Sequence, residues 1–310
     1  MAWKDTGIME YRPGYIGRFA PSPTGPLHFG SLVAAAGSYF DARSNNGRWL
    51  LRIEDVDRPR TVAGATESIL ASLERFGFEW DGEIVRQSRR DEAYAAAFER
   101  LKADGHAFPC ACTRSEIADS SLARDGSRVY PGTCRNGLPA GRTARAWRAR
   151  VRGTIAFEDA VQGTQREDLE TELGDFVIRR ADGLFAYQLA VVVDDFDAGV
   201  THVVRGADLL DSTGRQIYLQ RLLGYPTPVY AHLPVAANAA GEKLSKQTHA
   251  RGLDGSRPHA ALLAAISFLG QNPPDALAAE PLAEIHRWAI ANWSPGRIPR
   301  CRVMKAPTGY

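Results

Sequence analysis

Arg18-Phe19-Ala20-Pro21-Ser22-Pro23-Thr24-Gly25-Pro26-Leu27-His28-Phe29-Gly30-Ser31 decides how the rest of the chain is read. Just before and into it, Tyr15 to Ala20 predicts a short strand that runs into a proline-rich turn. After it, Leu32 to Arg43 has the small, apolar composition of a buried helix, and Arg48 to Ile53 predicts a second strand ending in Glu54-Asp55-Val56-Asp57. Strand, turn, helix and strand in that order form the βαβ pattern of a parallel sheet. The start of such a helix offers free backbone N–H groups and the positive end of its dipole, which together attract anions. Gly25 and Gly30 permit close backbone approach, and the prolines stiffen the turn. His28, one step before the helix, is either a donor to a phosphate oxygen or a capping or core histidine.

Working outward, Thr66 to Phe76 and Asp91 to Asp104 have the spacing of amphipathic helices. Between Gly105 and about Gly163 the periodicity breaks into Cys, Gly, Pro and Arg, which reads as an insertion. Alternation of elements resumes at Phe176 to Arg179, Ala186 to Val193 and Thr201 to Arg205. A helix from about Gly214 to Leu223 and a strand near Tyr230 to Leu233 follow, with helices at Ala260 to Leu269 and around Pro281 to Asn292. The expected division is therefore 1–104 and 164–250 as two halves of a catalytic α/β domain, 105–163 as the insertion, and 251–310 as a helical C-terminal region.

Hydrophobic residues at 44% and charged residues at 24% are ordinary for a folded soluble chain, so disorder is not expected. A net charge of +2 neither demands nor excludes nucleic acid, because a local basic face matters more than the total. Arg142, Arg145, Arg148, Arg150 and Arg152 form the best local cluster for phosphate contacts, or else a solvated strand and turn. No apolar run reaches the roughly 18 residues that span a bilayer. Met1 to Gly14 carries Lys4, Asp5, Glu10 and Arg12 and has no apolar signal core, so a cytoplasmic location is expected.

Three of the four cysteines, Cys110, Cys112 and Cys134, fall in one short window. That pattern suits a metal site better than a disulfide framework. Cys-x-Cys is a looser signature than paired Cys-x-x-Cys arms, so structural zinc competes with three separate buried thiols. His106, four residues before Cys110, is the conventional candidate for a fourth ligand.

Ala239-Ala240-Gly241-Glu242-Lys243-Leu244-Ser245-Lys246-Gln247 sets two lysines three apart in a small-residue loop. Reaction at the α-phosphate of ATP builds negative charge on the transferring group and on the leaving pyrophosphate. Catalysis there consists largely of placing positive charge where that negative charge grows. Lys246, helped by Lys243 and the Ser245 hydroxyl, would suit that work; the alternative is an exposed loop whose lysines only keep it soluble.

Together, His28-Phe29-Gly30-Ser31 and Lys243-Leu244-Ser245-Lys246-Gln247 resemble the HIGH and KMSKS motifs of class I aminoacyl-tRNA synthetases. The string Arg18 to Gly25, Leu51-Arg52-Ile53-Glu54-Asp55-Val56-Asp57 and Thr201-His202-Val203-Val204-Arg205-Gly206 are similar to the glutamyl branch in particular. The resemblance covers about residues 15 to 250 and implies a Rossmann-type, doubly wound parallel sheet with a zinc-binding insertion. It implies ATP with Mg²⁺ as a substrate, held by Pro21, Gly25, His28, Gly30, Ser31, Ser245 and Lys246, with His28, Lys243 and Lys246 in catalytic roles. Ser31 replaces the second histidine of the motif, which suits a helix-start residue. The resemblance also implies a glutamate pocket in which Arg18 and Arg205 grip the side-chain carboxylate, Glu54 takes the ammonium, and Ser22 and Tyr187 add hydrogen bonds. An arginine pair facing that carboxylate is what selection of glutamate over glutamine requires. Tyr130 is the fourth zinc ligand that the resemblance implies, unusual because phenols ionise only near pH ~10.

Within the branch, Val191 stands where enzymes for tRNA(Glu) typically carry Asn, and about sixty residues follow the lysine loop, too few for their helical anticodon-binding region. These features, with Arg205 to Thr213 and the Gln216 region, resemble the glutamyl-Q tRNA(Asp) synthetase subfamily. That resemblance implies tRNA-independent activation of glutamate and its transfer to queuosine in the anticodon of tRNA(Asp), by a monomer. The alternatives are a shortened enzyme charging the 3′ end of tRNA(Glu) and a non-catalytic tRNA-binding paralogue.

Overall fold

The computed structural model describes residues 14–123, 126–238, 241–244, 252–253 and 256–308. It opens with β1 (Ile16–Phe19), α1 (Phe29–Ser44) and β2 (Arg48–Ile53). The two strands pair in parallel from Ile16–Arg48 to Phe19–Leu51. The turn between β1 and α1 is pinned by backbone bonds from Glu54 N to Pro21 O at 3.0 Å and from Val62 N to Pro23 O at 2.9 Å. Gly25 takes a φ of 142°, a backbone conformation that a side chain would oppose. α1 starts three residues earlier than its apolar pattern suggests, because His28 takes the N-cap position and the Ser31 hydroxyl accepts from His28 N at 3.5 Å.

Next come α2 (Ala65–Arg75), β3 (Val85–Arg86) and α3 (Asp91–Ala103), with β3 added to β2 in parallel. β4 (Ala107–Cys110) and β5 (Ala146–Ala149) pair antiparallel. The hairpin of β6 (Thr154–Asp159) and β7 (Gly163–Asp168) follows, then β8 (Val177–Arg179), which joins β5. α4 (Tyr187–Asp197), β9 (His202–Gly206), α5 (Leu210–Leu223) and β10 (Val229–Leu233) complete the second half of the main sheet, where β9 and β10 are parallel. Thr201 N donates to Ile16 O at 2.9 Å and Ile16 N to the Thr201 hydroxyl at 2.9 Å, so the β9 side lies against β1. The strands thus run β3-β2-β1-β9-β10-β6-β7.

One apolar core packs α1 against the sheet, and a second packs α3, α4 and α5 on it, so helices cover both faces. Parallel strands buried on both sides explain runs such as Trp49-Leu50-Leu51. Part of the stretch expected to be an insertion lies in the main sheet: β6 pairs with β10 through Asp159 and Tyr230. Its charged, alternating sequence reflects a hairpin with one wet face. The tail is also less purely helical than expected. β11 (Val235–Ala237) pairs in parallel with β12 (Val303–Lys305), while α6 (Pro258–Phe268) and α7 (Leu282–Asn292) close over α1. Trp293 Nε1 donates to Asp41 at 2.9 Å, and His286 Nε2 to Phe76 O at 2.8 Å, fixing that cover. No helix among the described residues is long and apolar enough to cross a membrane.

Candidate active site and metal centre

β1 leads through α1 to β2 on one side, and β9 leads through α5 to β10 on the other. The chain therefore leaves the C-terminal ends of the neighbouring strands β1 and β9 in opposite directions, and the crevice at such a reversal is where sheets of this kind bind ligands. A cavity of about 700 Å³ opens there. Arg18 from β1, Glu54 beyond β2, Tyr187 opening α4 and Arg205 from β9 line its inner part. The N-terminus of α1 brings His28, Gly30 and Ser31 to the wall, and Lys243 and Leu244 follow β11 into it.

Pro21 and Ser22 join the lining, so the structure gathers nearly every residue singled out for the amino-acid and nucleotide sites. Gly25 is the exception: it shapes the turn but does not reach the cavity wall. Ser245 and Lys246 lie outside the described residues. Lys243 forms an ion pair with Asp208 at the cavity edge.

Arg18 and Arg205 are 4% and 5% exposed, too deep to be solvated surface arginines. Buried charges need partners. Arg18 Nε donates to Asp195 Oδ1 at 3.3 Å, and Arg52 Nη1 donates to the same oxygen at 2.6 Å. Arg52 Nη2 also donates to Glu54 at 3.1 Å. Against the cost of burial, Arg18 and Arg52 hold the Asp195 carboxyl below its ordinary value. Burial pushes Glu54 up despite Arg52 and Arg18. The neighbouring Asp194 accepts from Gln87 at 2.8 Å, Tyr94 at 2.9 Å and Arg90 at 2.6 Å, tying α4 to α3 and to the end of β3. Burial, then Glu54, raises the Tyr187 phenol, so it stays a neutral donor.

Arg205 is held differently. Its Nε donates to His232 Nε2 at 3.0 Å and its Nη2 to the Thr213 hydroxyl at 2.9 Å. Nη1 is buried and has no hydrogen-bond partner among the described residues. Arg52, Asp159, Asp195 and His232 have no site role that the motifs assign. The signal for one was present: Asp194-Asp195 closes the apolar run Leu189 to Val193, and acids in a buried helix require cations.

At the end of β4 and in the segment that follows it, Cys110, Cys112 and Cys134 bring their sulfurs within 4.8 Å of one another. The Cys112 and Cys134 sulfurs are 3.7 Å apart, and the Tyr130 hydroxyl lies 3.4 Å from Cys110 Sγ and 3.5 Å from Cys112 Sγ. These residues could hold a metal ion. His106 sits at the other end of β4, where its carbonyl accepts from Arg150 N, about 13 Å along an extended strand from Cys110.

The arginine-rich stretch does not form one phosphate-binding or solvated face. Arg148 is buried, donates to Cys110 Sγ at 3.3 Å and lies 3.9 Å over the Tyr130 ring. Arg150, two residues on, faces the same way over Phe108 and donates to Arg135 O, while Arg142 pairs with Glu116. Strand alternation turned two of the five inward. Against burial, hydrogen bonds to Tyr130 and Arg148 hold the Cys110 thiol below its usual range.

Gly174, at φ 68°, fixes the approach of this unit, since an added Cβ would sit 2.6 Å from Tyr130 N. Gly174→Ala is expected to cost about 3 kcal/mol through left-handed strain and overpacking, read as a fall in Tm. An unchanged Tm would show that this contact does not set the position of Tyr130.

The family described as tRNA synthetases class I (E and Q), catalytic domain, matches residues 16–254. A glutamyl-Q tRNA(Asp) synthetase of Aromatoleum aromaticum is 66% identical over 98% of this chain and 96% of its own. One from Dechloromonas aromatica is 61% identical over 94% of this chain and 98% of its own. Among solved structures, a glutamate tRNA ligase from Elizabethkingia meningosepticum, in complex with its amino acid, superposes with a TM-score of 0.78 at 25% identity. That match covers 95% of this chain and 67% of the ligase.

Proposed function

The chain belongs to the class I tRNA synthetases of the E and Q branch, and from that premise we propose that it activates glutamate with ATP and passes it to the queuosine base of tRNA(Asp). The observation that carries this reading is the meeting of two buried guanidinium groups, Arg18 and Arg205, with Glu54 in one cavity beneath the α1 N-terminus. The guanidinium pair takes the γ-carboxylate of glutamate and Glu54 its ammonium, while Tyr187 and Ser22 add hydrogen bonds. Glutamine would leave a buried charge unpaired, at a cost of about 3 kcal/mol or more.

With the amino acid so held, an oxygen of its α-carboxylate attacks the α-phosphorus of Mg²⁺-ATP. The new P–O bond gives glutamyl-adenylate as the bond to pyrophosphate breaks. Backbone N–H groups at the start of α1, around His28, Gly30 and Ser31, face the phosphates, and Pro21 and Gly25 shape the turn. Lys243 and Lys246, with the Ser245 hydroxyl, supply positive charge and a donor to the departing pyrophosphate. A queuosine hydroxyl then attacks the acyl carbon and AMP leaves.

For the cysteine cluster we assign structural zinc, with Tyr130 as fourth ligand. A tetrahedron with arms of about 2.3 Å to sulfur and about 2.0 Å to oxygen has edges of roughly 3.8 and 3.5 Å, and the observed spacings fit it. Arg148 stabilises the thiolate of Cys110. Four protein ligands leave no open position, so the ion serves as a staple.

Pyrophosphate exchange into ATP tests the activation step. Glutamate alone is expected to support exchange with no tRNA in the reaction; exchange that appears only after tRNA is added would contradict the proposal.

A further inference from the structure

Asp159 closes β6 with a buried carboxylate. Its Oδ1 accepts from the backbone N–H groups of Gln162 at 2.8 Å, His232 at 3.0 Å and Val161 at 3.1 Å. Its Oδ2 meets Nδ1 of His232 at 2.5 Å. His232, on β10, is fully buried, and its other nitrogen faces Arg205 Nε. A guanidinium has only donors, so His232 Nε2 must present a lone pair to it. The proton then has to sit on Nδ1, where the carboxylate, an acceptor, receives it. An imidazolium would set two donors against each other, and burial pushes the His232 pKa down to about 4.

We propose that Asp159 and His232 are positioning residues: the carboxylate fixes the imidazole tautomer, and the imidazole fixes the direction of the Arg205 guanidinium. Thr213 holds the Nη2 corner, which leaves Nη1, buried and without a hydrogen-bond partner among the described residues, to meet the substrate carboxylate. Setting the guanidinium in advance spares the ordering cost on binding and places the charge where an acid and an amide differ. This inference rests on the assignment of Arg205 to the glutamate side chain.

Asp159→Asn tests it with almost no change of shape. The three backbone N–H groups require the amide oxygen on their side, so the amide NH₂ must face His232 Nδ1. The imidazole then switches its proton to Nε2, directly against the Arg205 Nε–H. In glutamate-dependent pyrophosphate exchange the KM for glutamate is expected to rise about 30-fold or more, with the KM for ATP changed by less than about twofold. Nitrogen-15 NMR of the imidazole should report the Nδ1–H tautomer in the native chain and Nε2–H in the variant. That spectrum needs no activity and no variant, and an Nε2–H tautomer in the native chain would overturn the inference. So would an unchanged glutamate KM in a folded variant. Failure of the native chain to exchange with glutamate would instead remove the functional reading, leaving the tautomer to be read on its own.

Discussion

Arg205→Met is expected to raise the KM for glutamate more than about a hundredfold in pyrophosphate exchange, with the KM for ATP nearly unchanged. Methionine keeps most of the volume of the arginine stem, and its neighbours remain partnered: His232 Nε2 still lies 3.2 Å from the Thr213 hydroxyl. What disappears is one of the two buried positive charges that line the cavity among the described residues. Losing a charge-assisted bond to a desolvated carboxylate costs about 3 kcal/mol, which is the hundredfold above. Discrimination against glutamine should shrink as well, because the penalty of an unpaired guanidinium falls on the amide only while that guanidinium is present. A variant whose glutamate KM stayed within a few-fold of the native value would place the carboxylate elsewhere.

Removal of the proposed zinc from the cysteine cluster should have a larger effect still, on stability rather than on substrate binding. Among the described residues, the apolar core around that cluster consists of Phe108, Cys110, Ala111, Tyr130 and Cys134, with three half-buried neighbours. So few side chains cannot offset the entropy of ordering the loops between β4 and β5. A structural zinc supplies about 10 kcal/mol or more in small domains, enough to decide whether such a unit folds. A strong chelator, or Cys134→Ser, is therefore expected to open residues between β4 and β5 to rapid proteolysis while the main sheet keeps its protection. The native chain should carry one zinc per molecule by elemental analysis. A chain free of metal that resists proteolysis equally well would contradict the assignment.

Much of the frame was legible because its signals are local. The switch from Tyr15–Ala20 through a proline-rich turn to a small-residue helix can only be a strand followed by a helix, and it places His28 and Gly30 at the helix start. The six residues Arg48 to Ile53 form β2 as read. Less legible were features that depend on distant partners. The β6–β7 hairpin looked like insertion because its alternating charges serve a half-wet face, and nothing local to it announces pairing with β10. Val303–Lys305 is too short to declare a strand without Val235–Ala237 beside it.

The site divides along the same line. Arg18, Glu54 and Arg205 were legible through their motifs, and the cavity brings them together. The residues that hold them were not, because Asp195 is 177 positions from Arg18 and Asp159 is 73 from His232. The five arginines of residues 142–152 show the opposite failure: a run of charge looked like a surface, yet strand alternation buried Arg148 against Tyr130.

Charging of tRNA(Asp) with and without queuosine, using labelled glutamate, bears most directly on the whole account. Stable labelling of queuosine-containing tRNA(Asp) is expected, and none of tRNA(Asp) lacking the modified base or of tRNA(Glu). Labelling of tRNA(Glu) at its 3′ end, or of tRNA(Asp) regardless of queuosine, would contradict it.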